Sequence, residues 1–344
     1  MKYLLDQLNK KYQQLQGCRP LPPELVRNLD EWFRVELTYT SNAIEGNTLT
    51  RQETALVVEK GITVDGKSLR EHLEATNHAE ALDFVHKLAR KPRQALTEDD
   101  LLTVHRLILR HIDDANAGRY RSVPVRIAGT AVVLPNHRKV PELMAEFVTW
   151  LTTSTGHPVE VAAEAHYRLV TIHPFVDGNG RTARLLMNLL LLQAGYPPAL
   201  IRTQDRRAYI GALEQAQTGG PSDDYYRLIY DAADRSLDLY LEAAAGKSPA
   251  TAIPTAPVTP AQRLVRRGEL AELTGVRPST LMHYTEIGLL PYHQDEPGLA
   301  RRYDVAAASE RLALIRDLQR RGLSLDEVRT RLVERPDEGD ARVA

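Results

Sequence analysis

His173-Pro-Phe-Val-Asp-Gly-Asn-Gly-Arg-Thr-Ala-Arg184 reads as a loop that opens a helix. Pro174 and Gly178 interrupt the helix before it, and Arg181 to Leu192 forms the next. Gly178, Asn179 and Gly180 leave amides unpaired at the positive end of that helix, an arrangement that suits phosphate. Arg181 and Arg184 stand three apart, on one helical face, where both can grip a polyphosphate. Asp177 offers the carboxylate that Mg²⁺ takes together with phosphate oxygens. His173, an imidazole that titrates near neutrality, suits removal of a proton from an attacking hydroxyl. Singly, these are a Gly-rich turn, a core histidine and two solvated arginines. Within twelve residues they describe phosphoryl or nucleotidyl transfer.

Outward from this segment, the chain has 344 residues, enough for two or three domains. Hydrophobic residues make up 43% and charged residues 26%, which excludes a disordered tail, a collagen-like fibre and a membrane protein. The longest apolar run, within Leu185–Leu192, is far short of the roughly 20 residues that cross a bilayer and reads as a buried helix. The first ten residues have polar residues throughout and no continuous apolar core, so no signal peptide is expected. Cys18 has no partner for an internal disulfide, so the expected compartment is the cytoplasm. A net charge of -1 points to neither nucleic acid nor an anionic membrane for the chain as a whole.

Most of the first part carries helical signals. Thr50-Arg-Gln-Glu53 is a capping box, and the helix it opens stops at Gly61. Leu101, Leu102, His105, Leu107, Ile108 and Leu109 make one apolar face, and Ala162, Ala165, Leu169 and Ile172 another. One stretch departs from the pattern. Val123–Leu134 alternates, is rich in β-branched residues and turns at Gly129-Thr130, which predicts a short β-hairpin on a helical body. Gly246–Pro260 has four prolines and no apolar period, and reads as an extended linker. The organisation expected is therefore an N-terminal helical region over 1–95, a core over 96–245, the linker, a small domain over 261–335 and a tail over 336–344.

The His173–Arg184 segment resembles the Fic (filamentation induced by cAMP) family, whose motif HxFx(D/E)GNGRxxR is filled here at every fixed position. The resemblance runs from about Thr38 to Leu241. Gly118-Arg-Tyr-Arg121 is similar to the family's approach to its flap, and Asp205-Arg-Arg-Ala-Tyr209 to the segment that closes its nucleotide pocket. Ala43–Thr50 and Arg184–Asn188 are similar to the Fic AMP-transferases of animal cells, whose signal and membrane anchor are not seen here. The resemblance implies a mainly α Fic-fold helical bundle with a β-hairpin flap, and transfer of AMP from ATP to a Ser, Thr or Tyr hydroxyl of a target protein or of the enzyme itself. It implies His173 as general base and Asp177 as the Mg²⁺ ligand. The amides of Gly178, Asn179 and Gly180 and the Asn179 side chain would hold phosphates, with Arg181 and Arg184 on their far end. Ile127, Ala128, Gly129 and Thr130 would clamp the target by strand pairing. Tyr209 and Ile210 stand where several relatives have two tyrosines, and Gln217 where some have Asn, so base selectivity is where this chain departs.

Ser41-Asn-Ala-Ile-Glu45-Gly46 precedes the core. Ser41 and Glu45 share a helical face, and Gly46 ends that helix. A glutamate in a last turn faces the negative end of the dipole and needs a compensating partner. The run matches the family's inhibitory pattern, (S/T)xxxE(G/N), which implies pairing of Glu45 with Arg184 and interference with the γ-phosphate. In some relatives the same glutamate aligns a water that removes AMP, so both directions of the reaction stay open.

From Ala261 onward the chain holds 14 Arg, no Lys and 14 acids. Arg267–Gly275 and Val276–Tyr284 read as helix, turn, helix, with Leu270, Leu273, Val276 and Leu281 as a small core, and a further helix runs from Val305 to Arg320. This part resembles a MerR-type winged helix-turn-helix over about Leu264–Leu332, matched best at Leu289–Pro291, Arg301–Tyr303 and Gly322–Val328. The resemblance implies DNA contacts from Arg277, Ser279, Thr280, His283, Tyr284, Arg301 and Arg302. Met282 and His283 stand where many relatives have Arg and Tyr, and a balance of +2 before the tail is a weak footprint, so a protein-binding adaptor is the competing reading. For the whole chain the competing readings are a DNA-binding regulator with a nucleotide-sensing core and an enzyme that mainly removes AMP. Its oligomeric state is open, a homodimer included.

Overall fold

Helices begin where the capping residues sit. Thr50 accepts the Glu53 amide while Glu53 returns to the Thr50 amide, and Gly61, at φ 64, closes the same helix. Ser68 with Glu71 and Thr97 with Asp100 form two further reciprocal boxes. The computed structural model describes residues 1–246, 264–292, 301–320, 324, 325, 327 and 328. In chain order the helices of the first part are α1 (Lys2–Gly17), α2 (Pro23–Ile44), α3 (Arg51–Lys60), α4 (Leu69–Leu88), α5 (Glu98–Leu109), α6 (Val140–Thr153), α7 (Pro158–Ile172), α8 (Asn179–Gln193), α9 (Arg206–Gln217) and α10 (Asp223–Ala244). None of the described helices is long and apolar enough to cross a membrane.

Helix α8 is the axis of this bundle. Residues 181–191 are buried all round it, and α7, α4, α5 and α2 pack against it. A helix buried on every face belongs inside a core, which accounts for the Leu-rich run over 185–192, while its first turns bury Arg181 and Arg184. Residues on both sides of the expected border at residue 95 share one apolar core, from Leu8 through Leu82 and Leu189 to Ala243. The faces read from the sequence on α5 and α7 point inward: Leu101, His105, Ile108, Ala162, Ala165 and Leu169 are buried.

The stretch 123–134 is corrected in part. It turns at Ala128-Gly129, with Gly129 at φ 77, but its arms carry no strand ladder. The donors a ladder needs are committed elsewhere: Pro124 has none, the Val132 amide bonds Thr130 Oγ1, and the Ala131 amide bonds Glu214.

The chain divides into two units, Met1–Ile253 and Pro254–Ala344. The second holds β1 (Leu264–Arg266), α11 (Arg267–Thr274), α12 (Pro278–Glu286), β2 (Arg302–Asp304) and α13 (Val305–Arg320). Gly275, at φ 66, makes the turn between α11 and α12. Strands β1 and β2 pair antiparallel with Val265 opposite Tyr303, a two-stranded sheet that the alternation of so short a stretch does not announce. Leu270 and Leu281 are buried and Val276 partly so, but Leu273 is 48% exposed and leaves the expected core. On α11 it lies three residues from Leu270, and the face this short helix buries is narrower than the spacing suggests. The expected linker beyond Gly246, the tail, Gly298–Ala300 and Gly322 lie outside the described residues.

Candidate active site

The site forms where α7 ends and α8 begins. His173 caps α7 in the left-handed region (φ 50, ψ 59), sparsely populated for a side-chain-bearing residue and a recurrent device at functional sites. Its Nδ1 lies 3.2 Å from the Val170 carbonyl. Donation from Nδ1 leaves Nε2 as the acceptor, the tautomer a general base needs. Burial lowers the His173 pKa, and Arg121 adds to this, against opposing contributions from the Val170 carbonyl, Glu45 and Asp177. The imidazole is therefore kept neutral and ready to accept a proton.

The loop after His173 is held rigidly. His105 Nε2 meets the Asp177 carbonyl at 2.9 Å while its Nδ1 accepts the Gly118 amide at 3.0 Å. Its ring stacks on Phe175 with centroids 3.6 Å apart. Burial pushes the His105 pKa down to about 4, so it keeps the one proton that this pair of bonds requires. Gly178 is left-handed (φ 78), and a Cβ on it would stand 3.3 Å from the His105 ring and from Ile108. The Asn179 side chain is buried and closes the loop on itself, accepting from the Phe175 amide and donating to the Phe175 carbonyl, each at 2.9 Å. Its amide group bonds within the loop, and the Gly178 amide, expected to be unpaired, is taken by Asp177 Oδ1 at 2.6 Å, so the Asn179 and Gly180 amides at the helix start are the ones placed to meet an anion.

The two motif arginines are buried and both face acids. Arg184 donates through Nη2 to Glu45 at 2.7 Å and to the Ser41 carbonyl at 2.9 Å, and through Nε to Ser41 Oγ at 2.9 Å. Burial opposes its charge, yet the Glu45 carboxylate holds its pKa above the ordinary value. Helix α2 ends at Ile44, Glu45 caps it, and Gly46 (φ 101) turns the chain away. The Glu45 carboxylate lies directly over Gly180, where a Cβ would collide with it, so it covers part of the nest. Arg181 pairs with Asp177 at 3.3 Å and Glu74 at 3.4 Å. Asp177 is half-exposed, accepts the Gly178 amide and meets Arg70 at 3.0 Å. One exposed carboxylate beside an anion nest suits Mg²⁺, which binds through few protein oxygens and shared phosphate.

The remaining expected residues are placed unequally. Tyr209 is 1% exposed, with its hydroxyl 2.8 Å from His166, and belongs to the core behind Arg184 rather than to an open pocket. Ile210 is exposed, and Gln217 reaches Thr171 Oγ1 at 3.2 Å. Ile210, Glu214 and Gln217 share one face of α9, and Glu214 binds the Ala131 amide of the flap at 3.0 Å. Ile127 and Thr130 are half-buried, Ala128 and Gly129 exposed. In the second unit Arg277, Ser279, His283, Arg301 and Arg302 are exposed and Thr280 and Tyr284 half-buried. Arg301 lies over the Tyr292 ring, 4.6 Å from its centroid. His105, His166, Arg70, Glu74 and Arg121 were not legible as site residues, because their partners are far away in the chain.

The model of the Fic/DOC family matches residues 95–191, and that of the MerR HTH family regulatory proteins matches 265–334. A Fic domain containing signalling protein from Bacteroides thetaiotaomicron is 33% identical and superimposes with a TM-score of 0.63, over 72% of this chain and 98% of that one. The chain belongs to the Fic family. A Fic-1 fragment from C. elegans is 33% identical to this Fic chain, with a TM-score of 0.65 over 72% of it and 73% of the fragment. Protein adenylyltransferase Fic of Nematostella vectensis is 39% identical over 241 residues, 69% of this chain and 56% of that protein. Its counterpart from Drosophila melanogaster is 43% identical over 207 residues, 59% of this chain and 41% of that protein. The chain thus spans about half the length of the curated relatives it matches.

Proposed function

We propose that the first unit is a protein adenylyltransferase that moves AMP from ATP to a Ser, Thr or Tyr hydroxyl of a target protein and of itself, and that Glu45 restrains it. The observation that carries this is a neutral, preset base, His173, next to a nest whose arginine Arg184 is held by a carboxylate from the same chain. The target hydroxyl passes its proton to His173 Nε2 as its oxygen bonds the α-phosphorus. The bond from that phosphorus to the bridging oxygen breaks, and pyrophosphate leaves. The amides of Asn179 and Gly180 and the Arg181 guanidinium orient the phosphates, and Asp177 would hold Mg²⁺, which supplies charge neutralisation. With Arg184 paired to Glu45, its guanidinium is withheld from the far phosphate. The flap, free of an internal ladder, offers backbone to an incoming segment. Homologues named as adenylyltransferases support this reading. Its test is AMP incorporation from labelled ATP by the parent chain and by His173→Ala; transfer by the parent that survives His173→Ala at the parent rate overturns the base assignment.

AMP removal is a second reading, favoured by the Glu45 carboxylate being 40% exposed and electrostatically coupled to His173, so that it can orient a water. For the second unit we propose DNA binding, supported by the MerR match and by the exposed Arg277, Arg301 and Arg302.

A further inference from the structure

Arg121 has no part in the scheme above, yet its side chain is 3% exposed. Its own amide donates to the Pro174 carbonyl at 2.9 Å, and its Nε donates to the His173 carbonyl at 2.8 Å. The other two nitrogens turn to the flap, Nη2 to the Pro135 carbonyl at 2.6 Å and Nη1 towards the Val123 carbonyl at 3.5 Å. Among the described residues the hydrogen-bond partners of this side chain are all backbone carbonyls. A buried cation satisfied by carbonyls alone is costly to keep, and three fixed acceptors call for the planar fork of arginine rather than a point charge.

The three carbonyls belong to two different parts of the site. His173 is the base, held in a strained left-handed conformation. Val123 and Pro135 are the two feet of the flap, whose arms have no ladder to fix them. At the far end, among the described residues, the Glu214 bond to Ala131 ties the flap down. The separation between a backbone docked on the flap and the ring of His173 is therefore set largely by one side chain.

We infer that Arg121 is a positioning residue that locks the flap and the base into one frame, so that a segment paired with the flap presents its hydroxyl to His173. This rests on the AMP-transfer reading. Misplacement of reacting groups by about 1 Å costs roughly 10²-fold in rate, and that is the loss expected for Arg121→Met, with about tenfold for Arg121→Lys. ATP affinity should stay within about threefold, because Arg121 touches no part of the nest.

The experiment uses the full chain carrying Glu45→Gly, alone and with Arg121→Met or Arg121→Lys. Amide hydrogen exchange is read over residues 125–134 and over α8, alongside ATP affinity by calorimetry and single-turnover AMP transfer. The inference predicts exchange at least about tenfold faster in the flap, unchanged exchange in α8 and the graded loss of transfer. Flap exchange within twofold of the parent in a folded Arg121→Lys overturns it, as does a parallel loss of ATP affinity, which marks a merely structural role. If Arg121→Met fails to fold, Arg121→Lys decides. If the Glu45→Gly parent transfers no AMP, the catalytic reading fails on its own, and the exchange data still decide whether Arg121 holds the flap.

Discussion

Replacing Glu45 with glycine removes the carboxylate that lies on Arg184 and over Gly180, and little else. The stability cost is small. Glu45 is 40% exposed, so the ion pair contributes about 1 kcal/mol after solvent screening. Arg184 is not orphaned, because the Ser41 carbonyl and hydroxyl still accept from it. A glycine one residue past the end of α2 adds about 1 kcal/mol at most. A total near 2 kcal/mol lowers the melting temperature by about 4 to 8 °C for a unit of this size. The gain at the site is larger: a unit charge about 5 Å from a phosphate charge, at an effective dielectric near 20, is worth about 3 kcal/mol, or roughly 10²-fold. AMP incorporation from α-labelled ATP should therefore rise at least about tenfold while thermal stability falls only slightly. Arg184→Ala should not mimic it, because it also removes a phosphate contact, and the double variant should stay weak. A Glu45→Gly rate no higher than the parent's, at comparable stability, refutes the inhibitory assignment. Loss of AMP removal in the same variant assigns Glu45 to water activation instead.

Acid should destabilise the bundle before it protonates most carboxylates. Burial pushes His78 and His166 down to about 3 and His105 to about 4, so below the ordinary histidine pKa the unfolded chain takes up protons that the folded chain refuses. Stability then falls as pH drops from 6.5 towards 4, by up to about 1.4 kcal/mol per pH unit for each histidine, and urea midpoints at pH 7.5, 6 and 5 that coincide contradict this. For the second unit, the full chain should shift a duplex from its own promoter at low salt, with affinity falling steeply as salt rises; absence of any shift at low salt favours a protein-binding adaptor.

The features legible in the sequence are those whose causes are local. The caps at Thr50 and Gly61, the turn at Gly275 and the span of α13 depend on residues a few positions apart. Glu45 and Arg184 lie 139 residues apart, and only the resemblance to a family pairs them in advance. What escaped depends on partners chosen by the tertiary fold. The alternation of 123–134 suggests a hairpin, but Glu214 and Thr130 take the amides that would have formed it. The bonds of the Tyr209 hydroxyl to His166 and of the Asn179 amide to Phe175 likewise come from the fold and have no sequence signal. Arg121 and His105 act on the motif loop from 52 and 72 residues away, a separation that no local period records.

The most direct test of the account is mass spectrometry of the Glu45→Gly chain after incubation with ATP and Mg²⁺, with Glu45→Gly/His173→Ala beside it at equal ATP occupancy. The account predicts one or more hydroxyl side chains carrying AMP in the first protein and none in the second. Unmodified protein in both, or equal modification in both, would contradict it.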